Sequence, residues 1–274
     1  MSALLEIADA HVDFGGVHAL DGATISIDHR GLYGLIGPNG SGKSTLLGAI
    51  SRLTDLTSGR LLIEGNDYTQ VRRHVANALG IARTFQTVRL LPTMTVLSNV
   101  MLGAENEAVR RHPVINWLRI GRARSDSQRA RTGAVAALER VGMTAVTNSY
   151  PQDLPYGSQR KVEIARALAC DPKVLLLDEP TAGMSHSERD EVGTLLMDLN
   201  QGGLTQILVE HDLAMIHRVT THAFALNFGK VIAGGTPAQV AADPLVREAY
   251  LGHGASAPPV GSDPGVTANP HQSQ

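Results

Sequence analysis

Gly37-Pro38-Asn39-Gly40-Ser41-Gly42-Lys43-Ser44-Thr45 fills every fixed position of the pattern G-x-x-x-x-G-K-[ST]. Its flanks are the ones that pattern needs. Gly31 to Ile36 is a compact apolar run of the kind buried on both faces of a parallel sheet, and Leu46, Leu47 and Ile50 follow at helical spacing. Strand, glycine-rich turn and helix start together make an anion cradle. The glycines let backbone N–H groups turn inward, and the helix offers its positive end to the same anion. Lys43 is thus predicted to reach the β and γ phosphates of ATP, with the Ser44 hydroxyl on Mg²⁺. The plain alternative, a glycine-rich turn before an ordinary helix, is outweighed by the strand and helix on either side.

Lys173-Val174-Leu175-Leu176-Leu177-Asp178-Glu179-Pro180 supplies what such a loop lacks. An apolar strand delivers two adjacent carboxylates at its C-terminal edge, where open α/β sheets place their ligands. Asp178 is expected to hold the metal, usually through water, and Glu179 to act on the attacking water as general base. An Asp-Glu pair opening a turn before proline is the competing reading.

Working outward, strand and helix alternate around these two motifs. Leu4 to Ile7 and Ala23 to Ile27 read as strands, with Asp21-Gly22 as a turn between elements. Leu61 to Ile63 and Ile81 to Arg83 are further strands. From about Thr95 to Ala169 the character is helical, with proline-free segments over Ser125 to Val141 and Gln159 to Ala169. Alternation then resumes: Val174 to Leu177, Ser187 to Leu199, Gln206 to Val209, Leu213 to Val219, Phe224 to Asn227. The reading is an α/β fold with a mostly parallel core sheet and an inserted helical subdomain at about 95–169. Residues 253–274, rich in Pro, Gly and Ser, read as a disordered tail beyond a domain over 1–252.

Composition excludes several alternatives. The 274 residues, 43% apolar, can bury a full core. With 24 basic against 26 acidic residues the chain is not built to coat nucleic acid. The single Cys170 allows no internal disulfide and reads as a small core residue. The N-terminus lacks a signal-peptide layout, and no 18-residue apolar run spans a bilayer. Arg110 to Arg131 hold seven arginines around Trp117. They read as a solvated helical face plus a packed tryptophan, or more sharply as a face touching permease loops or anionic lipid, for which charge reversal at Arg119, Arg122 and Arg124 should weaken membrane association.

The motifs together resemble an ATP-binding cassette (ABC) ATPase over about residues 4 to 252. Phe14 matches the aromatic that stacks on adenine. Gln86, in Ala82-Arg83-Thr84-Phe85-Gln86, matches the glutamine that senses Mg²⁺ and the γ-phosphate. Leu154-Pro155-Tyr156-Gly157-Ser158-Gln159 stands where the signature loop lies. His211, in Val209-Glu210-His211-Asp212, matches the histidine at the γ-phosphate, with Asp212 as a helix cap. The resemblance implies an N-terminal antiparallel β part and a head-to-tail pair of cassettes, with ATP-Mg²⁺ between one phosphate loop and the other cassette's Tyr156, Gly157 and Ser158. Catalytic work falls to Glu179, His211 and Gln86, and the metal to Ser44, Gln86 and Asp178. Two departures stand out: Pro155 replaces the serine of Leu-Ser-Gly-Gly-Gln, and the loop Thr181 to Ser185 ends in serine where aspartate is usual.

Gly80 to Gln86 with Val88-Arg89-Leu90, the Tyr-Gly signature, and Asp243-Pro244-Leu245-Val246-Arg247-Glu248-Ala249-Tyr250-Leu251-Gly252 resemble cassettes of branched-chain amino acid uptake systems. Such cassettes work as peripheral proteins on the cytoplasmic face of the membrane. Each pairs with a copy or a paralogue beneath two permease subunits fed by a periplasmic binding protein. The competing expectations are a soluble, non-transport cassette ATPase, the cassette of a lipid or lipopolysaccharide exporter, and a P-loop kinase that would leave the signature-like loop without a role.

Overall fold

The computed structural model describes residues 3–111 and 123–251. Trp117, Arg119 and Arg122 of the basic stretch and the tail after Leu251 lie outside these residues. Two sheets carry the fold. The antiparallel sheet is formed by β1 (Leu5–Phe14), β2 (Val17–Ile27), β4 (Ser58–Ile63) and β5 (Asn66–Asp67), in the order β2-β1-β4-β5. The second has six strands: β3 (Leu32–Ile36), β6 (Ile81–Arg83), β7 (Val174–Asp178), β8 (Thr205–Val209), β9 (His222–Asn227) and β10 (Lys230–Gly235). Their order is β10-β9-β3-β8-β7-β6, parallel throughout except for β10.

At the centre of the six-stranded sheet both faces are covered: every residue of β3, β7 and β8 is buried, and β3 and β7 accordingly read as nearly unbroken apolar runs. Along β7, Val174 and Leu176 join a core with Leu46, Leu47 and the inner side chains of the antiparallel sheet. Leu175 and Leu177 point the other way, into a core shared with the helices. The period of two in side-chain direction thus divides one apolar strand between two cores.

The helices are α1 (Lys43–Ile50), α2 (Arg73–Ala78), α3 (Val96–Arg111), α4 (Ala123–Arg140), α5 (Tyr156–Leu168), α6 (His186–Gln201), α7 (Leu213–Val219), α8 (Pro237–Ala242) and α9 (Pro244–Leu251). Their starts follow local chemistry. Ser185 and Glu188 form a capping box on α6, and Thr236 and Gln239 form one on α8 ahead of Pro237. The Asp212 carboxylate accepts from the Ala214 and Met215 amides and so caps α7. In the helical lobe, α3, α4 and α5 present small buried side chains to one another, among them Ala104, Ala130, Ala134 and Ala165. Their backbones come so close that a Cβ on Gly103 would lie 1.9 Å from the Arg166 carbonyl oxygen.

One expectation is corrected here. Asp21-Gly22 is no turn between elements; both residues lie inside β2, and the hairpin turns at Gly15-Gly16 instead. The pairing jumps from Ala10↔Ala23 to His11↔Asp21, leaving Gly22 at φ 82° in a β-bulge. A bulge and a turn share the same residue preference, so Asp-Gly alone does not separate them. The bulge has a use, since it frees the Asp21 amide to donate to the Gly229 carbonyl at 3.0 Å, locking β2 to the β9–β10 turn.

Candidate active site

Four parallel strands end on one edge, and the segments carrying Lys43, Gln86, Asp178, Glu179 and His211 leave from that edge. Leu35 of β3 pairs with Val209 of β8, and Val209 pairs in turn with Asp178 of β7. The phosphate loop, the 210–211 segment and the Asp178-Glu179 pair are therefore lateral neighbours at strand spacing, about 4.8 Å apart. β6 adds Arg83 and the segment to Gln86 from the far side of β7.

Within Gly37–Thr45, Gly37, Gly40 and Gly42 take φ values of 147°, 78° and 105°. The space at two of them is closed to any side chain: a Cβ would come 2.1 Å from the Leu226 carbonyl at Gly37 and 2.5 Å from the Ala19 carbonyl at Gly42. Lys43 is buried, its ammonium donating to the carbonyls of Gly37 (2.7 Å) and Pro38 (2.9 Å) and to Ser41 Oγ (3.4 Å). Burial holds its pKa below the usual lysine value, and the nearby carboxylates of Glu179 and Asp178 pull it back up. Ser44 is exposed and Thr45 half-buried at the helix start, with Pro38 enclosed and Asn39 facing out.

The two carboxylates are held differently. Asp178 Oδ2 pairs with the Arg83 guanidinium at 2.8 Å, both side chains nearly enclosed. Glu179 is gripped at both oxygens: Gln86 Nε2 donates to Oε2 at 2.8 Å, and His211 Nε2 stands 2.5 Å from Oε1. Its backbone sits at φ 46°, a left-handed conformation that costs about 1–3 kcal/mol in a residue with a Cβ. The Glu179 amide donates to the Val209 carbonyl at 3.0 Å, which helps to hold that geometry. A carboxylate oriented at two points can take a proton from water without losing its aim.

Several participants were not read from the sequence. Arg83 stood in the quoted motif with no role, yet it is the ion-pair partner of Asp178. Glu210, next to His211, is buried and accepts from the Thr181 amide (3.0 Å) and hydroxyl (2.7 Å), fixing the loop after Glu179. Burial pushes its pKa above the carboxylate range, opposed by those two hydrogen bonds. Arg160 is wholly buried. It donates to the carbonyls of Phe85 (2.6 Å) and Gln86 (2.5 Å) and pairs with Glu163 at 2.6 Å. The only sequence signal was an Arg-Glu pair three apart on a helix, which looks the same when solvated.

Tyr156, Gly157 and Ser158 do not join the group around Lys43. They form the first turn of α5, and their link to it runs through Arg160, whose Nη2 also donates to the Tyr156 hydroxyl at 3.3 Å. Pro155 is the N-cap of α5 and offers no side-chain acceptor or hydroxyl there. Phe14 stands at the hairpin end, 55% exposed and paired with Val17, two residues before Ala19, whose carbonyl abuts Gly42. Cys170 is buried in the helical core, its thiol donating to the Ala167 carbonyl.

Against known proteins, residues 20–182 match the ABC transporter family model, and residues 230–256 match the branched-chain amino acid ATP-binding cassette transporter model. The chain is 33% identical over 254 residues to the high-affinity branched-chain amino acid transport ATP-binding protein BraF of Pseudomonas aeruginosa, covering 91% of this chain and 98% of that one. It is 32% identical over 250 residues to LivG of Escherichia coli, the protein of the same description, with the same coverage. Among solved structures, a nucleotide-free ATP-binding cassette from an ABC transporter superposes with a TM-score of 0.79 at 30% identity, covering 90% of this chain and 98% of that one. A dimeric cassette in a post-hydrolysis state with ADP and Pi gives 0.68 at 25% identity, covering 85% and 98%. Matched over more than half its length by the family model and over nine-tenths by these relatives, the chain belongs to the ABC transporter family as one of its ATP-binding cassettes.

Proposed function

We propose that this chain is the ATP-hydrolysing subunit of an importer of branched-chain amino acids or related small polar solutes. The observation that carries the catalytic half is Glu179 held by Gln86 and His211 at the strand edge where Lys43 leaves the phosphate loop. The match of residues 230–256 and the named relatives carry the cargo, and favour it over a soluble cassette or a lipid exporter.

In this reading the loop amides cradle the β-phosphate. Lys43 exchanges the Gly37 and Pro38 carbonyls for phosphate oxygens, which draw the buried ammonium more strongly than neutral acceptors do. Ser44, Gln86 and Asp178 are hard oxygen donors suited to Mg²⁺. Asp178 has one oxygen left beside its Arg83 pair, and Ser44 and Gln86 would add two neutral oxygens, the sparse protein set Mg²⁺ takes beside water and phosphate. Bound there, Mg²⁺ would neutralise charge on the β and γ phosphate oxygens. Glu179 takes the proton of the attacking water, Gln86 and His211 keep its carboxylate aimed, and Phe14 receives the base. Tyr156, Gly157 and Ser158 serve the nucleotide of a second cassette, through the positive end of α5.

Among the described residues no helix is long and apolar enough to cross a membrane. Transport therefore rests on partners: two permease subunits and a second cassette, with this chain peripheral on the cytoplasmic face and a periplasmic binding protein upstream. The test is an affinity pull-down of Glu179→Gln with ATP-Mg²⁺ from detergent-solubilised host membranes, read by mass spectrometry. Multi-span permeases and a second cassette are the expected companions. Ribosomal or DNA-repair proteins with no permease would overturn the transport reading and leave the ATPase site standing.

A further inference from the structure

Tyr250 lies 213 residues from the phosphate loop and ends against it: its hydroxyl accepts the Gly37 N–H at 3.0 Å. Gly37 is the first residue of the loop, and its carbonyl is the nearest acceptor of the Lys43 ammonium, at 2.7 Å. One glycine thus carries the C-terminal segment on its N–H and the phosphate-binding lysine on its C=O. Gly37 also cannot be steadied by a side chain, since it sits at φ 147° with the Leu226 carbonyl where a Cβ would be. The Tyr250 hydrogen bond fixes the Ile36–Gly37 peptide, and the Gly37–Pro38 peptide that carries the Lys43 acceptor hinges on it at the Gly37 Cα.

The approach of Tyr250 is built in several steps. Thr236 and Gln239 cap α8 above Pro237, and the Asp243 carboxylate accepts from the Leu245 amide at 2.8 Å just where Pro244 opens α9. Val246 and Ala249 bury the inner face of α9 against the core. The next residue, Tyr250, is left half-buried with its ring on that core and its hydroxyl at the loop. Burial raises the phenol pKa, so the group stays a neutral hydroxyl able to accept the N–H.

We propose that Tyr250 is a positioning residue for the nucleotide site, presetting the Ile36–Gly37 peptide and, across the hinge at Gly37, the carbonyl that holds Lys43 for the phosphates. The proposal rests on the reading of Gly37–Thr45 as an ATP site. It assigns the C-terminal helix, which lies in the segment matched to the branched-chain model, a part in nucleotide binding.

The experiment compares the full chain with Tyr250→Phe, which keeps the ring and removes the hydroxyl. Amide exchange at Gly37, followed by NMR in nucleotide-free protein, should speed up about tenfold or more with Leu32–Ile36 unchanged, because one hydrogen bond is lost at one site. Titration with ATP-Mg²⁺ and with ADP-Mg²⁺ should show both bound about tenfold more weakly, and KM should rise with kcat within about threefold, since a preset cradle acts on binding. Val246→Ala is the control for packing: it should lower the melting temperature and leave Gly37 exchange at the parent level. Unchanged Gly37 exchange and nucleotide affinity in Tyr250→Phe would overturn the proposal, as would Val246→Ala reproducing the whole effect. A parent chain that binds neither nucleotide would sink the ATP reading instead, while the exchange measurement still reports on the Tyr250 contact.

Discussion

Arg160 donates to the main-chain carbonyl of Gln86 at 2.5 Å, from a side chain wholly shielded from solvent. Gln86, whose side chain donates to Glu179, is therefore held at its backbone by α5. Arg160 also carries Glu163, and burial keeps the Glu163 pKa above the carboxylate range despite the pull of Arg160 and Arg166. Desolvation thus outweighs attraction in this pair. Such a pair lends geometry more than stability.

Replacing Arg160 by Met leaves Glu163 buried without its closest cation. The expected loss is about 3–5 kcal/mol in urea unfolding. Adding Glu163→Leu to Arg160→Met should recover part of that loss: it removes the buried carboxylate, but it also takes from Arg166 its partner at 3.5 Å. Turnover in the double variant should stay low, since the Phe85 and Gln86 carbonyls still lack their donor. A double variant as unstable as the single one would show that the pair is not the source of the effect.

Gly103→Ala places a methyl 1.9 Å from the Arg166 carbonyl, so α3 and α5 must part. Overpacking of this kind costs about 1–3 kcal/mol. A thermal melt should shift downwards by a few degrees, roughly 2–4 °C for each kcal/mol in a chain of this size. Arg166, whose guanidinium donates to the Arg89 carbonyl at 2.5 Å, should lose that register as well. A melt matching the parent would mean that the two helices have slack between them.

Glu210 sets a pH dependence. Its folded pKa lies above the ordinary 4.5, burial being the largest cause. Between 4.5 and the raised value the folded chain keeps a proton that the unfolded chain has released, so stability falls as pH rises through that window. Glu210→Gln still accepts from Thr181 and does not titrate. Its urea midpoint should decline less steeply with rising pH than the parent's, the remaining slope coming in part from Glu163, shifted in the same direction. Parallel profiles for parent and variant would rule Glu210 out as the source.

Ser185, in place of the more usual aspartate, still caps α6: its hydroxyl accepts from the Glu188 amide while the Glu188 carboxylate accepts from the Ser185 amide. Ser185→Ala should therefore lower stability by about 0.5–2 kcal/mol, and Ser185→Asp should fall between that variant and the parent, since it caps the Glu188 amide but faces the carboxylate to which the Ser185 hydroxyl donates at 2.8 Å. Equal unfolding midpoints for all three would mean the cap contributes nothing.

What the sequence determined by itself was everything decided within a few residues. The glycine-rich loop between an apolar strand and a helix, Asp178-Glu179 at a strand end, the cap at Asp212 and the apolar runs of β3 and β7 depend on spacing and turn chemistry that a linear reading contains. Asp21-Gly22 marks the limit of that reading, because turn and bulge ask for the same residues and only the partner strand separates them. The family resemblance put Gln86, Glu179 and His211 at one site, and the tertiary structure decided which distant groups touch. Strand order β3-β8-β7-β6 brings Gln86, Glu179 and His211 together. Helix packing turns an ordinary Arg160-Glu163 pair inward, and the two caps before α9 aim Tyr250 at Gly37. The physical reason is the range of the signal: periodicity and capping act over about four residues, whereas burial and a hydrogen bond spanning 213 residues exist only once the chain has closed on itself.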